Sequence, residues 1–267
     1  MAQYNSTTQA AIERLAAFVR KATGQLIFKK RLPKKIGRAS IYVTSRSDVR
    51  LLAPGFSWSA GDLVAVADRY VKRGSVTWDI GSNLGIFSFC SALRAGPGGQ
   101  VYSLEADPRY ADIQFRTLLK FPEDAARIHV LCAAVADQVG LVELWVPKKG
   151  HSRSHLAQVK GNSAGEVEIR KPVITVTLDW LLDRWSPPAF IKIDVEGAEG
   201  LAINGADRLF SEIRPEGYIE CAEENVGVLT KFFKDRDYRL FVMRDDGGEC
   251  PVDRFSFNTI VRPHEKC

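Results

Sequence analysis

The sequence contains few cysteines, and none of them belongs to a closely spaced pair. The five cysteines, Cys90, Cys132, Cys221, Cys250 and Cys267, are odd in number and lie far apart. A small disulfide-stabilised domain has an even set of cysteines, and a structural zinc site usually contains Cys-x-x-Cys pairs. We therefore expect free thiols, with neither a disulfide framework nor a cysteine zinc site.

Long apolar runs are also absent. A membrane-spanning helix needs roughly 18 to 20 consecutive apolar residues, and no stretch of the sequence approaches that length. Glu13, Arg14, Arg20 and Lys21 interrupt the opening stretch, where a secretory signal would have an apolar core. These absences predict a protein without a membrane span that is located in the cytoplasm.

The composition that remains is that of a folded globular protein with an uneven charge distribution. Of the 267 residues, 45% are hydrophobic and 26% are charged, and residues 1–50 contain 11 Lys and Arg against two Asp and Glu. This basic arm could be a solvated surface or could contact an anionic substrate or lipid headgroup. Because its basic residues are not interleaved with aromatic residues in a base-stacking pattern, we do not expect a nucleic-acid partner.

The N-terminal region is predicted to be an extension of one large domain. Apolar spacing predicts a helix over 8–22, short strands over 40–43 and 49–52, and a helix through 63–71 that Gly74 closes. We place the basic helical and β extension at residues 1–58 and the main domain at residues 59–267.

From Val76 onward, short apolar runs alternate with helical stretches, which is typical of β-α-β units around a parallel sheet. The turn-forming residues 245–248 predict that an antiparallel hairpin ends this mostly parallel sheet. The predicted strands are 76–80, 100–104, 128–132, 189–194, 216–221, 238–243 and 255–261, with extra strands at 142–146 and 173–176 that flank a polar insert at 148–171. The predicted helices are 83–94, 108–121, 198–211 and 224–236.

The strand at 76–80 ends in Asp79-Ile80-Gly81-Ser82-Asn83-Leu84-Gly85, a glycine-bearing turn that opens a helix. Gly81 allows the backbone to approach a ligand, and the amides from Asn83 to Gly85 are expected to face a negative group. The following strand ends at Glu105, whose carboxylate is suited to bind both hydroxyls of a ribose. The pattern predicts a nucleoside site at the carboxyl ends of two strands.

The spacing of this turn differs from that of a dinucleotide-binding loop. Asn83 stands where Gly-x-Gly-x-x-Gly has the glycine that admits a pyrophosphate. A smaller ligand with a carboxylate and an amine fits better, and S-adenosylmethionine meets that description, with Asp79 accepting hydrogen bonds nearby. The alternative is that the glycines only close a strand-to-helix turn.

A second motif is Phe190-Ile191-Lys192-Ile193-Asp194-Val195-Glu196-Gly197-Ala198-Glu199. Alternation along a strand places Lys192, Asp194 and Glu196 on one face, with Asp194 at or near the carboxyl end, where ligands bind in open α/β sheets. Three charges on a central strand are costly to bury unless they pair with one another or serve a ligand. The alternatives are therefore a ligand site and a structural network of lysine and carboxylates.

Taken in order, these motifs resemble those of the FkbM family of S-adenosylmethionine-dependent methyltransferases, over roughly residues 60–262. The stretch from Ile191 to Glu199 is the most specific match, and 79–85 and 104–108 agree with it. Shorter matches are Ala133 to Asp137, Leu178-Asp179 and Phe257 to Thr259.

The resemblance implies a Rossmann-like class I methyltransferase fold with a mostly parallel seven-stranded sheet. It implies methyl transfer to a hydroxyl of a sugar, glycan or natural product. It also implies that Asp79, Gly81, Asn83 and Gly85 hold the methionine end, that Glu105 holds the ribose, and that Asp107 or the backbone at Ala133 lies near the adenine. The full set of expected cofactor-binding residues is Asp79, Gly81, Ser82, Asn83, Gly85, Glu105, Ala106, Asp107, Ala133 and Asp194.

A sugar hydroxyl is a poor nucleophile, so a nearby base would help to remove its proton. Asp194 and Glu196 are the first candidates for this catalytic role, and His155 or His151 in the polar insert is another. A less favoured variant has Asp194 and Glu220 holding a Mg²⁺ ion that polarises the acceptor hydroxyl.

Two other classes of function stay open. A domain of the same fold could bind the nucleoside without turnover and act as a scaffold. A nicotinamide-dependent oxidoreductase is disfavoured by Asn83 and by the lack of a Tyr-x-x-x-Lys pair. Strand edges in the terminal hairpin could also pair between subunits, so a homo-oligomer is compatible with the sequence.

Overall fold

A computed structural model describes residues 26–52, 54–56, 60–147, 154–157, 159, 167–244 and 247–267. The strands are β1 (Ile27–Arg31), β2 (Ser40–Thr44), β3 (Val76–Ile80), β4 (Gln100–Glu105), β5 (Arg127–Cys132), β6 (Ala134–Val135), β7 (Gly140–Pro147), β8 (His155–Leu156), β9 (Val167–Val176), β10 (Phe190–Ile193), β11 (Glu216–Glu220), β12 (Tyr238–Met243), β13 (Glu249–Val252) and β14 (Asn258–Pro263). The α-helices are α1 (Gly61–Tyr70), α2 (Ile86–Ala95), α3 (Pro108–Leu118), α4 (Leu178–Leu182), α5 (Glu199–Asn204) and α6 (Val226–Lys234). The predicted helix over 8–22 and His151 lie outside the described residues.

The main sheet has the order β13-β12-β14-β11-β10-β3-β4-β5. The pairs from β11 through β10, β3 and β4 to β5 are parallel, whereas β14 runs antiparallel to both β11 and β12. The sheet thus contains the seven expected strands and one more, β13. It is a mostly parallel α/β sheet with antiparallel strands at one edge.

The chain reverses its direction of winding between β3 and β10. From β3 it proceeds through β4 to β5 on one side, and it returns to β10 on the other side of β3. Ligands bind at such a switch point, in the crevice beyond the carboxyl ends of the strands. Both sequence motifs follow these two central strands.

Alternation along the strands divides the hydrophobic core between the two faces of the main sheet. Phe190 packs in a cluster with residues of α1, α2 and α3, whereas Ile191 and Ile193 pack with α4, α5 and α6. Buried residues of β2, Ile41 and Val43, belong to the first cluster. The described part of the N-terminal region therefore shares the core of the main sheet, while the division of the chain at residues 58 and 59 stays a prediction.

A second sheet, in the order β6-β9-β7-β8, is built from the chain between β5 and α4. The expected strands at 142–146 and 173–176 are present but longer, as β7 and β9. The polar insert is shorter than predicted, because β9 begins at Val167 and because β8 pairs with β7. This sheet forms a small hydrophobic cluster of its own around Leu144, Val146 and Leu156.

Three predictions near the ends of the chain are wrong. Residues 49–52 form a 3-10 helix rather than a strand, because the Asp48 side chain accepts a hydrogen bond from the Arg50 amide and its carbonyl accepts one from Leu51. The strand β12 leads into β13 rather than into the last strand, and the Arg244 amide donates to the Gly248 carbonyl between them. The last strand begins at Asn258 rather than at Phe255, because the Thr259 hydroxyl bonds the backbone of Ser256 and forms a turn there.

Three helices also differ from their predicted bounds. The helix after the glycine loop begins at Ile86 rather than at residue 83, and α3 ends at Leu118 rather than at residue 121. The stretch 198–211 contains α5, a break at Gly205 and a π-helical turn at Leu209–Ile213. Among the described residues, none of the helices combines the length and the apolar composition that crossing a membrane would require.

Candidate active site

The loops that follow β3 and β10 touch each other at the switch point. The Asp194 amide donates to the Ile80 carbonyl at 3.0 Å, and the Gly81 amide donates to the Leu104 carbonyl at 2.9 Å. Gly81 has φ +76, and a Cβ placed on it would lie 1.8 Å from the Asp194 carbonyl oxygen. Only glycine fits here, because a side chain would displace the backbone that carries Asp194.

A buried polar network holds the glycine loop from below. Gln114 of α3 is fully buried, and its Nε2 donates to the Ser82 hydroxyl at 2.8 Å and to the Asn83 carbonyl at 2.7 Å. Its Oε1 accepts from the Ser103 hydroxyl at 2.7 Å. Gly85 packs against the same glutamine, since a Cβ there would lie 3.1 Å from its side chain. Ser82 and Gly85 therefore shape the loop from the protein side.

The Glu105 carboxylate lies at the end of β4 and closes the turn of the glycine loop. Its Oε2 accepts from the Asn83 amide at 2.6 Å, and its Oε1 accepts from the Asp107 amide at 2.7 Å. The amide of Gly85 is bonded to the Ser82 carbonyl. The expectation that the amides of Asn83 and Gly85 face a ligand is therefore wrong, because both are already bonded within the protein.

Burial raises the pKa of Glu105 to about 7, against the opposing effect of its two backbone hydrogen bonds. The side chain is 8% exposed and lines a pocket. A carboxyl group that titrates near neutral pH in such a place can accept hydrogen bonds from ligand hydroxyls when it is ionised.

Lys192 joins two carboxylates beneath the crevice. Its Nζ is 3.3 Å from Asp79 Oδ1 and 3.1 Å from Asp194 Oδ2, and it donates to the Gly81 carbonyl at 2.8 Å. Burial disfavours the charged lysine, but the charges of Asp194 and Asp79 outweigh burial and raise the pKa of Lys192. The structural network that the sequence left as an alternative is therefore present.

The two carboxylates of this network have different surroundings. Asp79 is fully buried and also accepts from the Ser88 hydroxyl at 2.6 Å, whereas the Asp194 side chain is 23% exposed and lines the pocket. Asp79 thus lies behind the pocket wall and fixes Lys192, while Asp194 faces the pocket itself.

The pocket at the switch point encloses about 620 Å³ of empty space, including the part open to solvent. Of the predicted residues, it is lined by Gly81, Asn83, Glu105, Ala106, Ala133, Asp194 and Glu196. The lining residues that the sequence reasoning missed are Leu104, Tyr110, Ala134, Val135, Leu144, Ser154, Leu156, Val195 and Ala198.

Several of the missed residues come from the second sheet. Leu144 of β7 and Leu156 of β8 close one side of the pocket with apolar surface. Their neighbour His155 is 4% exposed, stands edge-on to Trp145 and is not a lining residue. The pairing of β7 with β8 could not be found from spacing, because a two-residue strand in a polar insert has no periodic signal.

Asp107 and Glu220 are not among the residues that line the pocket. Asp107 caps α3, where it accepts from the Arg109 amide and pairs with Arg109 and Lys171. Burial favours its neutral form, but the hydrogen bonds from Arg109 and the charges of Arg109 and Lys171 outweigh it and lower the pKa of Asp107. Burial and the charge of Asp194 raise the pKa of Glu220 to about 8.

The described residues do not fit a magnesium ion. Within that part of the chain, no group of three or more His, Cys, Asp or Glu side chains is arranged to hold a metal. Asp194 is already paired with Lys192, which uses the negative charge that a metal ion would need.

The loop after β10 is held in a strained conformation. Glu196 has φ +50, which is uncommon for a residue other than glycine, and Gly197 follows with φ +94. The buried Glu199 carboxylate accepts from the Gly197 amide at 2.8 Å and from the Asn225 side chain at 2.7 Å. Asn225 also donates to the Gly197 carbonyl at 2.9 Å. This pair therefore fixes the turn that carries Glu196 into the pocket.

The chain is similar in sequence and in fold to known methyltransferases. Three solved structures with similar folds are methyltransferase FkbM from Methylobacillus flagellatus (18% identity, 70% of this chain and 43% of that chain, TM-score 0.48), an S-adenosylmethionine-dependent O-methyltransferase from Thermotoga maritima (15%, 75% and 63%, 0.41) and Aeropyrum pernix fibrillarin with natively bound S-adenosyl-L-methionine (13%, 89% and 82%, 0.42). This chain thus spans less than half the length of the Methylobacillus protein. None of the curated proteins matches the sequence at a significant level. The family model of the methyltransferase FkbM domain matches residues 79–240, more than half of the chain, and the chain therefore belongs to the FkbM methyltransferase family.

Proposed function

We propose that this chain transfers a methyl group from S-adenosylmethionine to a hydroxyl oxygen of a sugar, glycan or natural-product acceptor. One observation carries the proposal. A single pocket at the switch point brings together the buried carboxylate Glu105 at one strand end and the carboxylates Asp194 and Glu196 at another. Family membership supports the methyl transfer. The hydroxyl acceptor is part of our proposal.

The lining residues fit the cofactor in their hydrogen-bonding capacity. Glu105 would accept hydrogen bonds from the two ribose hydroxyls. Ala106 and Ala133, which are small and apolar, would leave space for the flat adenine. Gly81, Asn83 and Asp194 would meet the methionine end, with Asp194 opposite its ammonium group.

When bound, the cofactor supplies a methyl group on a sulfonium, which is already a good leaving group. The protein has to align the acceptor oxygen with this methyl group and to keep water out. Leu144, Leu156 and Val195 would exclude water from the pocket, since they line it with apolar surface.

We assign the general base to Glu196 in preference to Asp194. Asp194 is paired with the buried Lys192, and a proton on Asp194 would remove part of the counter-charge that this lysine needs. Glu196 lines the same pocket two residues after Asp194, and its backbone has φ +50. In this assignment Asp194 binds the cofactor and Glu196 receives the proton of the acceptor hydroxyl.

The acceptor is expected to be neutral where it enters the pocket. The charged lining residues among those described are Glu105, Asp194 and Glu196, which are all acidic. An anionic group next to them would be repelled. A hydroxyl of a sugar or a polyketide meets no such penalty.

The test is a turnover assay with methyl-labelled S-adenosylmethionine and a panel of sugars, glycans, polyketides and amines. The proposal predicts a labelled O-methyl product and equimolar S-adenosylhomocysteine. Glu196→Gln should lower kcat by about a hundredfold or more with unchanged cofactor affinity, whereas the exposed Glu223→Gln should have no effect. Exclusive methylation of amines, or full turnover by Glu196→Gln, would contradict it.

A further inference from the structure

A serine from the N-terminal region is bonded to a side chain of the glycine loop. The Ser47 hydroxyl donates to Asn83 Oδ1 at 2.8 Å. Ser47 lies in the loop after β2 and is buried, and its amide donates to the Thr44 carbonyl at 3.3 Å. Strand β2 is bonded in turn to α3, since the Tyr42 amide donates to the Thr117 hydroxyl at 3.0 Å. Ser47 is therefore held in place by residues that lie outside the glycine loop, and it precedes the region that matches the FkbM family model.

The backbone of Asn83 is held from both sides. Its amide donates to Glu105 Oε2 at 2.6 Å, and its carbonyl accepts from Gln114 Nε2 at 2.7 Å. Asn83 has φ +51, in the left-handed region that asparagine enters more readily than most residues other than glycine. A glycine would suit this backbone as well, but it would present no polar side chain. The asparagine therefore adds a side-chain amide to the lining of the pocket.

The bond from Ser47 sets the orientation of this side-chain amide. Because Oδ1 accepts from Ser47, Nδ2 is directed away from Ser47, and Nδ2 makes no hydrogen bond within the described part of the chain. The opposite orientation would turn Oδ1 toward a pocket that is lined by carboxylates, which also accept hydrogen bonds and cannot donate them when ionised. Asn83 is partly exposed and lines the pocket, so Nδ2 is a donor that a ligand can reach.

The pocket needs a donor of this kind if it holds S-adenosylmethionine. The methionine end carries a carboxylate as well as an ammonium, but the described lining residues include three carboxylates and neither lysine nor arginine. The backbone amides of residues 81–83 and of Gly85 are all bonded within the protein. A ligand carboxylate that met no hydrogen-bond donor would bind poorly.

We propose that Asn83 Nδ2 donates a hydrogen bond to the α-carboxylate of the methionine end, and that Ser47 is the positioning residue that turns Nδ2 toward it. This assignment rests on the proposed cofactor. The side chain of Asn83 takes the place of the loop amides, which the protein itself uses. Ser47 gives the N-terminal region a part in cofactor binding.

The test of Asn83 compares two ligands that differ in the carboxylate, S-adenosylmethionine and its decarboxylated analogue, by titration calorimetry. Asn83→Asp keeps an acceptor for Ser47 and a residue type that tolerates positive φ, but it replaces the donor with a carboxylate. This variant should weaken S-adenosylmethionine by about tenfold or more and leave the affinity for the analogue unchanged or higher.

The same two ligands test the positioning role of Ser47. Ser47→Ala should weaken S-adenosylmethionine by about fivefold, because the Asn83 amide is free to turn, and should change the affinity for the analogue by less than about twofold. Ser75→Ala is the matched control, since the Ser75 hydroxyl donates to the Lys72 carbonyl at 2.7 Å and lies before β3, at the end of that strand away from the pocket. It should change neither affinity.

The outcomes separate this inference from the proposed function. A wild-type protein that binds neither ligand overturns the proposed function itself. If the wild type binds and Asn83→Asp weakens both ligands equally or neither, the assignment of Nδ2 to the carboxylate is wrong. Equal effects of Ser47→Ala on the two ligands, or no effect, overturn the positioning role. If Ser47→Ala fails to fold, Ser47→Cys takes its place, since a thiol is similar in size and a weak donor.

Discussion

At the scale of single residues, the site depends on a few positions where the backbone or a charge has little freedom. Gly81 lies against the Asp194 carbonyl, Glu105 closes the glycine loop, and Lys192 neutralises two carboxylates. The residue types at these positions could be predicted from the motifs. Their partners could not, because the pairing of Asp79 with Ser88, or of Gln114 with Ser82, depends on helix packing that spacing does not specify.

Gly81→Ala is expected to cost more stability than a positive φ alone explains. Gly74 is the matched control, because it has φ +74 but no atom within 4 Å of an added Cβ. Gly74→Ala should lower the free energy of unfolding by about 1 to 2 kcal/mol, which is the cost of the backbone conformation. Gly81→Ala should lower it further and abolish cofactor binding, since the added Cβ displaces Asp194. Urea denaturation and calorimetry measure both, and equal losses for the two variants would refute the close-approach argument.

Glu105 should make stability fall as the pH rises. Its pKa is raised from 4.5 to about 7, so the folded protein holds a proton that the unfolded chain has released over that window. The stabilisation is complete below pH 4.5 and is lost as the pH rises through 7, by an amount on the order of 3 kcal/mol. Glu105→Gln cannot titrate, so the difference in unfolding free energy between wild type and variant should change between pH 5 and pH 8. A difference that is constant over this range would show that Glu105 titrates normally.

At the scale of elements, strong periodic signals were reliable and short irregular elements were not. The main-sheet strands lie close to their predicted positions because each has a clear apolar period, and so do the helices α1 and α6. These strands are β3, β4, β5, β10, β11 and β12. The 3-10 helix at Val49–Leu52 and the start of β14 are set by hydrogen bonds from backbone amides to the side chains of Asp48 and Thr259. Such local bonds override β propensity over a few residues.

The turn between β10 and α5 gives a prediction at this scale. Asn225 holds it through Gly197 and Glu199, so Asn225→Ala should lower kcat severalfold or more by releasing Glu196. It should also lower the free energy of unfolding by about 1 to 3 kcal/mol, because the Glu199 carboxylate loses a partner. Asn204→Ala on the exposed side of α5 is the control. If Asn225→Ala keeps both the turnover and the cofactor affinity of the wild type, the turn does not depend on Asn225 for its conformation.

At the scale of the whole molecule, the pocket is assembled from three parts of the chain. The switch point of the main sheet supplies the carboxylates, the second sheet supplies Leu144 and Leu156, and Ser47, in the loop after β2, reaches Asn83. The sequence indicated the first part because parallel strands bring their carboxyl ends to one edge. It did not indicate the other two, since both reach the pocket through pairings between distant segments, β7 with β8 and Ser47 with Asn83.

The central claim is that this pocket binds S-adenosylmethionine through Glu105, and calorimetric titration tests it most directly. Wild-type protein, Glu105→Ala and the exposed control Glu123→Gln would each be titrated with S-adenosylmethionine, S-adenosylhomocysteine and NAD. Our account predicts micromolar binding of the first two ligands by the wild type and the control. It predicts a loss of about tenfold or more in Glu105→Ala, and no binding of NAD. Binding of NAD alone, or S-adenosylmethionine affinity unchanged in a folded Glu105→Ala, would contradict it.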